Sequence, residues 1–228
     1  MALAIAATNT YSDNSGTISS HPVNLPASIA SGDLLLVFFV CNGIPTVTDP
    51  SGWTALVSKT NTDTFRVYAK IADGSEGATV TVALSANNRA SAISYRVTGA
   101  RNGVTSSEIA VSAAVDTNTA TPDPPSLTPS WGADTNLWIA LRFGSDGAAN
   151  PTISYPTNYS ETNSQQSVYT DSGAGNYVLT AGRILNATSE DPGVFTVTTA
   201  RNGSTYTLAV RPAVAGAYTL AAGAGSYA

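Results

Sequence analysis

Along the whole chain, short runs of apolar and β-branched residues alternate with clusters of Gly, Pro, Asn, Asp and Ser. In Phe65-Arg-Val-Tyr-Ala-Lys-Ile-Ala72, Ala78-Thr-Val-Thr-Val-Ala-Leu84 and Ala90-Ser-Ala-Ile-Ser-Tyr-Arg-Val97, apolar residues take turns with polar or small ones. Successive side chains of a strand point to opposite faces, so this period of two predicts β-strands with one covered face. Leu34-Leu-Leu-Val-Phe-Phe-Val40 is apolar throughout, which predicts a strand covered on both faces or one at the contact between two halves, and places the centre of the core there. No stretch shows a clear helical period. Asp13-Asn-Ser-Gly16, Asp49-Pro-Ser-Gly52, Asp73-Gly74, Arg101-Asn-Gly103, Asp146-Gly147 and Arg201-Asn-Gly203 supply turn residues that tolerate positive φ. Strands and turns at this spacing predict an all-β sandwich or barrel.

The same order of landmarks occurs twice, a little over 100 residues apart. Ser31-Gly-Asp-Leu-Leu-Leu-Val-Phe38 answers to Ala133-Asp-Thr-Asn-Leu-Trp-Ile-Ala140. Pro45-Thr-Val-Thr-Asp-Pro-Ser-Gly-Trp-Thr54 answers to Pro151-Thr-Ile-Ser-Tyr-Pro-Thr-Asn-Tyr-Ser160, pairing Trp53 with Tyr159. The stretch ending at Glu76 matches the one ending at Glu190, Thr79–Val82 matches Phe195–Thr198, and Ala92–Val97 matches Tyr206–Arg211. The reading is two tandem, internally duplicated β-sandwich units of jelly-roll or Ig-like type, packed together. Residues 1–100 form the first copy, 101–124 a linker and entry strand, 125–213 the second copy, and 214–228 a Gly/Ala-rich extended C-terminal arm. Two closed sandwiches are favoured over one pseudo-twofold sandwich, because Leu34–Val40 and Leu137–Leu141 are too apolar for either strand to face water. Trp131 and Trp138 are expected to pack between the copies.

Composition narrows the chemistry. The 228 residues hold one Cys and one His, too few for a disulfide framework or a thiolate or imidazole zinc site, so no metal or cofactor is expected. Ten Lys and Arg against fifteen Asp and Glu give a net charge of −5, which argues against a nucleic-acid surface. A hydrophobic content of 43% argues against disorder. The longest apolar run, Leu34–Cys41, has eight residues, short of the ~20 a membrane helix needs. The apolar N-terminus carries no Lys or Arg and does not read as a signal peptide.

No motif identifies a catalytic residue. His21 stands before Pro22 with no local nucleophile and reads as an ordinary surface residue. Glu76 and Glu190 occupy matching turns, where a carboxylate accepts backbone N–H bonds, rather than the two sides of a glycosidase cleft. Asp13–Gly16 and Asp171–Gly173 read as Asx turns rather than calcium loops. Tyr155, Tyr159, Tyr169 and Tyr177 lie in or beside a stretch rich in Ser, Asn, Gln and Thr and are the candidate ligand-binding residues, for a glycan or a receptor. Low charge density leaves few flexible side chains to freeze, which suits wide contacts with identical copies.

Ser31-Gly-Asp-Leu-Leu-Leu-Val37, Pro50-Ser-Gly-Trp-Thr54, Ala72-Asp-Gly-Ser-Glu76 and Ser94-Tyr-Arg-Val-Thr-Gly-Ala100 resemble sequences of tailed-bacteriophage virion proteins. So do Pro125-Ser-Leu-Thr-Pro-Ser-Trp-Gly132, Leu137-Trp-Ile-Ala140, Tyr155-Pro-Thr-Asn-Tyr159 and Ser189-Glu-Asp-Pro-Gly193. The resemblance covers residues 30–213 and implies a non-enzymatic structural protein of the virion, assembled in the bacterial host cytoplasm. The first expectation is a capsid decoration (cement) protein that binds the major capsid protein or other virion proteins as a homo-oligomer, with a trimer favoured. The alternative is a carbohydrate- or receptor-binding module of a tail fibre or head spike. Candidate assembly contacts are Leu3 and Ile5 in the N-terminal strand and Tyr218, Leu220 and Tyr227 in the arm.

Overall fold

Strands form where the alternating runs predict them. The computed structural model describes residues 1–145, 153–159, 167–171 and 175–214, with the backbone alone at 145 and 167–171. The first half contains β1 (Ala4–Asp13), β2 (Ser20–Asn24), β3 (Leu34–Cys41), β4 (Val47–Thr48), β5 (Thr54–Thr60), β6 (Thr64–Ile71), β7 (Thr79–Leu84) and β8 (Ala90–Thr98). There follow β9 (Ile109–Val111), β10 (Val115–Thr119), β11 (Asp134–Ser145), β12 (Ile153–Ser154), β13 (Ser167–Asp171), β14 (Asn176–Ala187), β15 (Thr196–Val197) and β16 (Arg201–Val210). Among the described residues there is no helix, and every strand pairing is antiparallel.

Two large sheets carry the fold. One runs β1-β8-β3-β6-β5, the other β10-β16-β11-β14-β13. On β16, the side away from β11 is shared: β10 pairs with Arg201–Thr205 and β9 with Leu208–Val210. Both strands come from the stretch read as linker and entry strand. Two small sheets, β2-β7-β4 and β12-β15, complete the set.

Side-chain parity explains the layering. Leu34, Leu36, Phe38 and Val40 of β3 share one interior with Leu137, Ile139, Leu141 and Phe143 of β11, so the large sheets pack face to face. The intervening residues Val37, Phe39 and Cys41 point the other way, toward Val23, Val82 and Leu84 of the three-stranded sheet. On the far side of the second large sheet, Trp138 and Ala140 meet Tyr159, Phe195 and Val197. β3 is therefore covered on both faces, as its unbroken apolar run requires, and all its residues are buried. Across the central interior the rings of Phe65 and Phe143 stack at 5.2 Å, and Tyr95 donates its hydroxyl proton to Thr180 Oγ1 at 2.6 Å.

Trp138 does not lie between the halves. It follows Leu137 by one residue, so it occupies the opposite face of β11, where its Nε1 donates to the Leu185 carbonyl at 3.1 Å. Trp131 packs against that same outer cluster and donates to Asn136 Oδ1 at 3.1 Å. His21 is not a surface residue either. It is wholly buried, with Nδ1 3.1 Å from the Tyr11 hydroxyl and its ring 5.8 Å from that of Phe39.

Candidate functional site

The order of the large sheets puts edge strand β5 of one beside edge strands β9 and β10 of the other, and there the sandwich has an open seam. Ladder pairing makes an edge strand present one row of backbone groups outward. β5 is irregular at this place. Its register with β6 slips between Ala55 and Val57, so Leu56 is an extra residue, bulged out of the ladder.

A groove of about 480 Å³ opens along the seam. Leu56, Ile109, Val111 and Leu127 give it an apolar floor, and Ser106, Thr128 and Ser130 contribute hydroxyls. No residue that lines it carries a charge. Its ends are held by local bonds. Glu108 accepts from the Thr105 N–H at 3.1 Å and from Thr105 Oγ1 at 2.5 Å, which shapes the turn into β9. Leu127 and Glu190 exchange two backbone bonds of 2.9 and 3.0 Å, which fixes the segment that carries Thr128 and Ser130. Farther along β5 a smaller cavity of about 190 Å³ is lined by Asn61, Asp116, Asn118 and Asn202.

Between the two openings Lys59 of β5 reaches Asp116 of β10 at 2.7 Å and ties the sheets together. Burial alone would raise the Asp116 carboxyl, but the Lys59 ammonium and the Ser204 hydroxyl outweigh it, and the net shift is downward. Arg142 lies beneath this region, fully buried, and donates to Thr117 Oγ1 at 3.2 Å and the Arg201 carbonyl at 2.6 Å.

The structure gives the candidate ligand-binding tyrosines a different setting. Tyr159 and Tyr177 are inside the outer core of the second half. Burial pushes the Tyr159 hydroxyl up, helped by Glu190, to which it donates at 3.2 Å. Tyr155 is half-buried, its ring edge-on to Phe195 at 6.1 Å. The side chain of Tyr169 lies outside the described residues. Of the candidate assembly residues, Leu3 and Ile5 are buried in the central interior, so their side chains are not on the surface. Tyr218, Leu220 and Tyr227 lie outside the described residues.

The two matching glutamates are each held locally. Glu76 accepts from the Asp73 and Gly74 N–H groups at 2.9 and 3.0 Å and lies 2.8 Å from the Lys70 ammonium. Burial would raise its carboxyl; these partners lower it on balance. Glu190 lies 2.9 Å from Arg183. Asp13 forms the Asx turn, accepting from the Ser15 N–H at 2.9 Å. The carboxyl of Asp123 is raised by partial burial and by Asp191, yet neither residue lines either opening of the seam. Among the described residues no three His, Cys, Asp or Glu side chains gather into a metal-binding group, and no helix is long and apolar enough to cross a membrane.

The seam leaves little trace in the sequence. Its floor draws one apolar residue or two from each of three segments far apart in the chain, and the only local signal was Ile109-Ala-Val111, inside a stretch read as linker. No protein-family model matches this chain, and neither a curated protein nor a solved structure does.

Proposed function

We propose that the protein is a non-enzymatic structural component of a tailed-bacteriophage virion, a capsid decoration protein that holds its neighbours by contact area. In this reading the two halves are tandem copies of one β-sandwich. Both large sheets follow the same strand path, and Lys70–Glu76 and Arg183–Glu190 are ion pairs at matching places. The chain acts as a homo-oligomer, a trimer, against the major capsid protein.

The observation that carries the reading is the uncharged open seam. Covering a lining of Leu, Ile, Val and small hydroxyl residues strips water from few polar groups and from no charge. It also immobilises few long side chains. Such a surface suits repeated association better than turnover, which needs polarised groups aimed at a reacting atom. The glycan-binding alternative is weakened by the burial of Tyr159 and Tyr177.

Quantitative mass spectrometry of virions tests the proposal, comparing particles made with the gene intact and with it deleted. Hundreds of copies per particle, with faster heat inactivation of the particles that lack the chain, are expected. Absence of the chain from purified particles overturns the assignment, and a handful of copies moves it to a fibre or spike.

A further inference from the structure

The groove at the seam has unused strand-pairing capacity. Ala110 faces Ala209 in the β9–β16 ladder, with bonded pairs Glu108–Arg211 and Ser112–Thr207 two residues to either side. In an antiparallel ladder such pairs alternate with pairs whose backbone groups point away. Val111 is therefore turned outward, and its N–H and C=O are directed to the side of β9 opposite β16, where the groove lies. An extended segment laid there would add a strand to β9 and rest its side chains on Leu56, Val111 and Leu127.

We propose that the occupant is the C-terminal segment, residues 215–228, of a second copy of this chain; the proposal rests on the assembly reading above. That segment contains no charged side chain, like the groove. In extended form Tyr218, Leu220 and Ala222 fall on one side, an apolar face against an apolar floor. Its 14 residues reach about 46 Å at about 3.3 Å each, long enough to leave one molecule and lie along another. The point of departure favours a neighbour over the chain's own groove. Beyond β16 the backbone continues in the same direction past the end of β9, with Arg211 bonded to Glu108 and Arg101, and the Ala213 N–H bonded to the Gly99 carbonyl at 2.8 Å. Entering its own groove would require a reversal around the Thr105–Glu108 turn. Each copy gives a segment and receives one, so the contact is head to tail and closes into a ring when three copies complete the rotation.

The test is sedimentation of the full chain over a range of concentrations, beside a variant lacking residues 215–228 and the rim variants Thr128→Arg and Ser130→Arg. Thr128 and Ser130 are exposed, so both substitutions leave the core intact. Self-association of the full chain is expected, with its loss in all three variants at unchanged thermal unfolding. A synthetic peptide of residues 215–228 should bind the shortened chain, fail to bind it once Thr128→Arg is added, and dissociate the full-chain oligomer. A full chain that stays monomeric, an oligomer that survives the deletion, or rim variants that associate like the parent would each overturn the exchange. The two proposals fail separately: a monomer found in hundreds of copies on the virion removes the exchange alone, and an exchanged oligomer absent from virions removes the decoration role alone.

Discussion

His21 is the chain's single histidine, and it sits in the layer between the first large sheet and its small partner, against Phe39. Burial lowers its pKa below the ordinary 6.5, and the nearby Asp13 carboxylate offsets this only in part. The unfolded chain therefore takes up a proton at a pH where the folded chain does not. Stability is full above about 6.5 and declines as pH falls through that value toward the lower folded one. Urea unfolding at pH 7 and pH 5.5 should show this decline, and His21→Gln should remove most of it. Phe65 makes a second prediction. Its ring stacks on Phe143 across the central interior, so Phe65→Ala should cost about 3–5 kcal/mol. A double-mutant cycle with Phe143→Ala should return a coupling of about 0.5–1.5 kcal/mol. Glu190 bonds both Arg183 and the Tyr159 hydroxyl, and Glu190→Ala should cost about 1–3 kcal/mol in chemical denaturation, since two bonds to one buried carboxylate are removed together.

Strands β11 and β16 meet at Gly144 and Gly203, opposite each other in the ladder. A methyl at Gly203 would run into the Phe143 carbonyl and the Arg142 guanidinium, and one at Gly144 into the Tyr177 ring. Gly203→Ala should therefore break the ladder at the seam end and lower the thermal midpoint more than Gly132→Ala, whose site is open although its φ of 78° also strains alanine. At this scale much was legible in the sequence. The alternation at Phe65–Ala72, Ala78–Leu84 and Ala90–Val97 gives β6, β7 and β8 within a residue or two. What could not be read was which way a doubly covered strand faces. The match of Ser31–Phe38 with Ala133–Ala140 sets Leu34 against Asn136, whereas Leu34 and Leu137 take like places, opposite Val97 and Val210. An unbroken apolar run has no alternation to fix its register, and a slip of one residue exchanges the faces. The same loss of parity sent Trp138 to the wrong side. The tyrosine stretch looked exposed because its neighbours are polar, while the rings of Tyr159 and Tyr177 turn inward.

For the molecule as a whole, the central interior belongs to both halves at once. Leu34, Leu36 and Phe38 lose their cover if β11 and β14 leave, at about 1.5–3 kcal/mol for each large side chain. Calorimetry should show one transition, with equal calorimetric and van't Hoff enthalpies. Residues 1–100 expressed alone should bind a hydrophobic dye and aggregate, because a sheet-sized apolar face is laid open. This interdependence also explains why short repeats in the sequence say little about autonomy: each half reads as a complete sandwich, yet one face of its largest sheet is covered only by the other.

Cys41, the lone thiol, ends β3 under full cover, and burial pushes it up to about 12. Because the thiolate is the reactive form, oxidants and alkylating reagents find nothing to attack while the strand stays in place. The chain thus carries a built-in clock for its own opening: the rate at which a thiol reagent labels this one atom records how often the central strand comes free, in solution or in an intact particle.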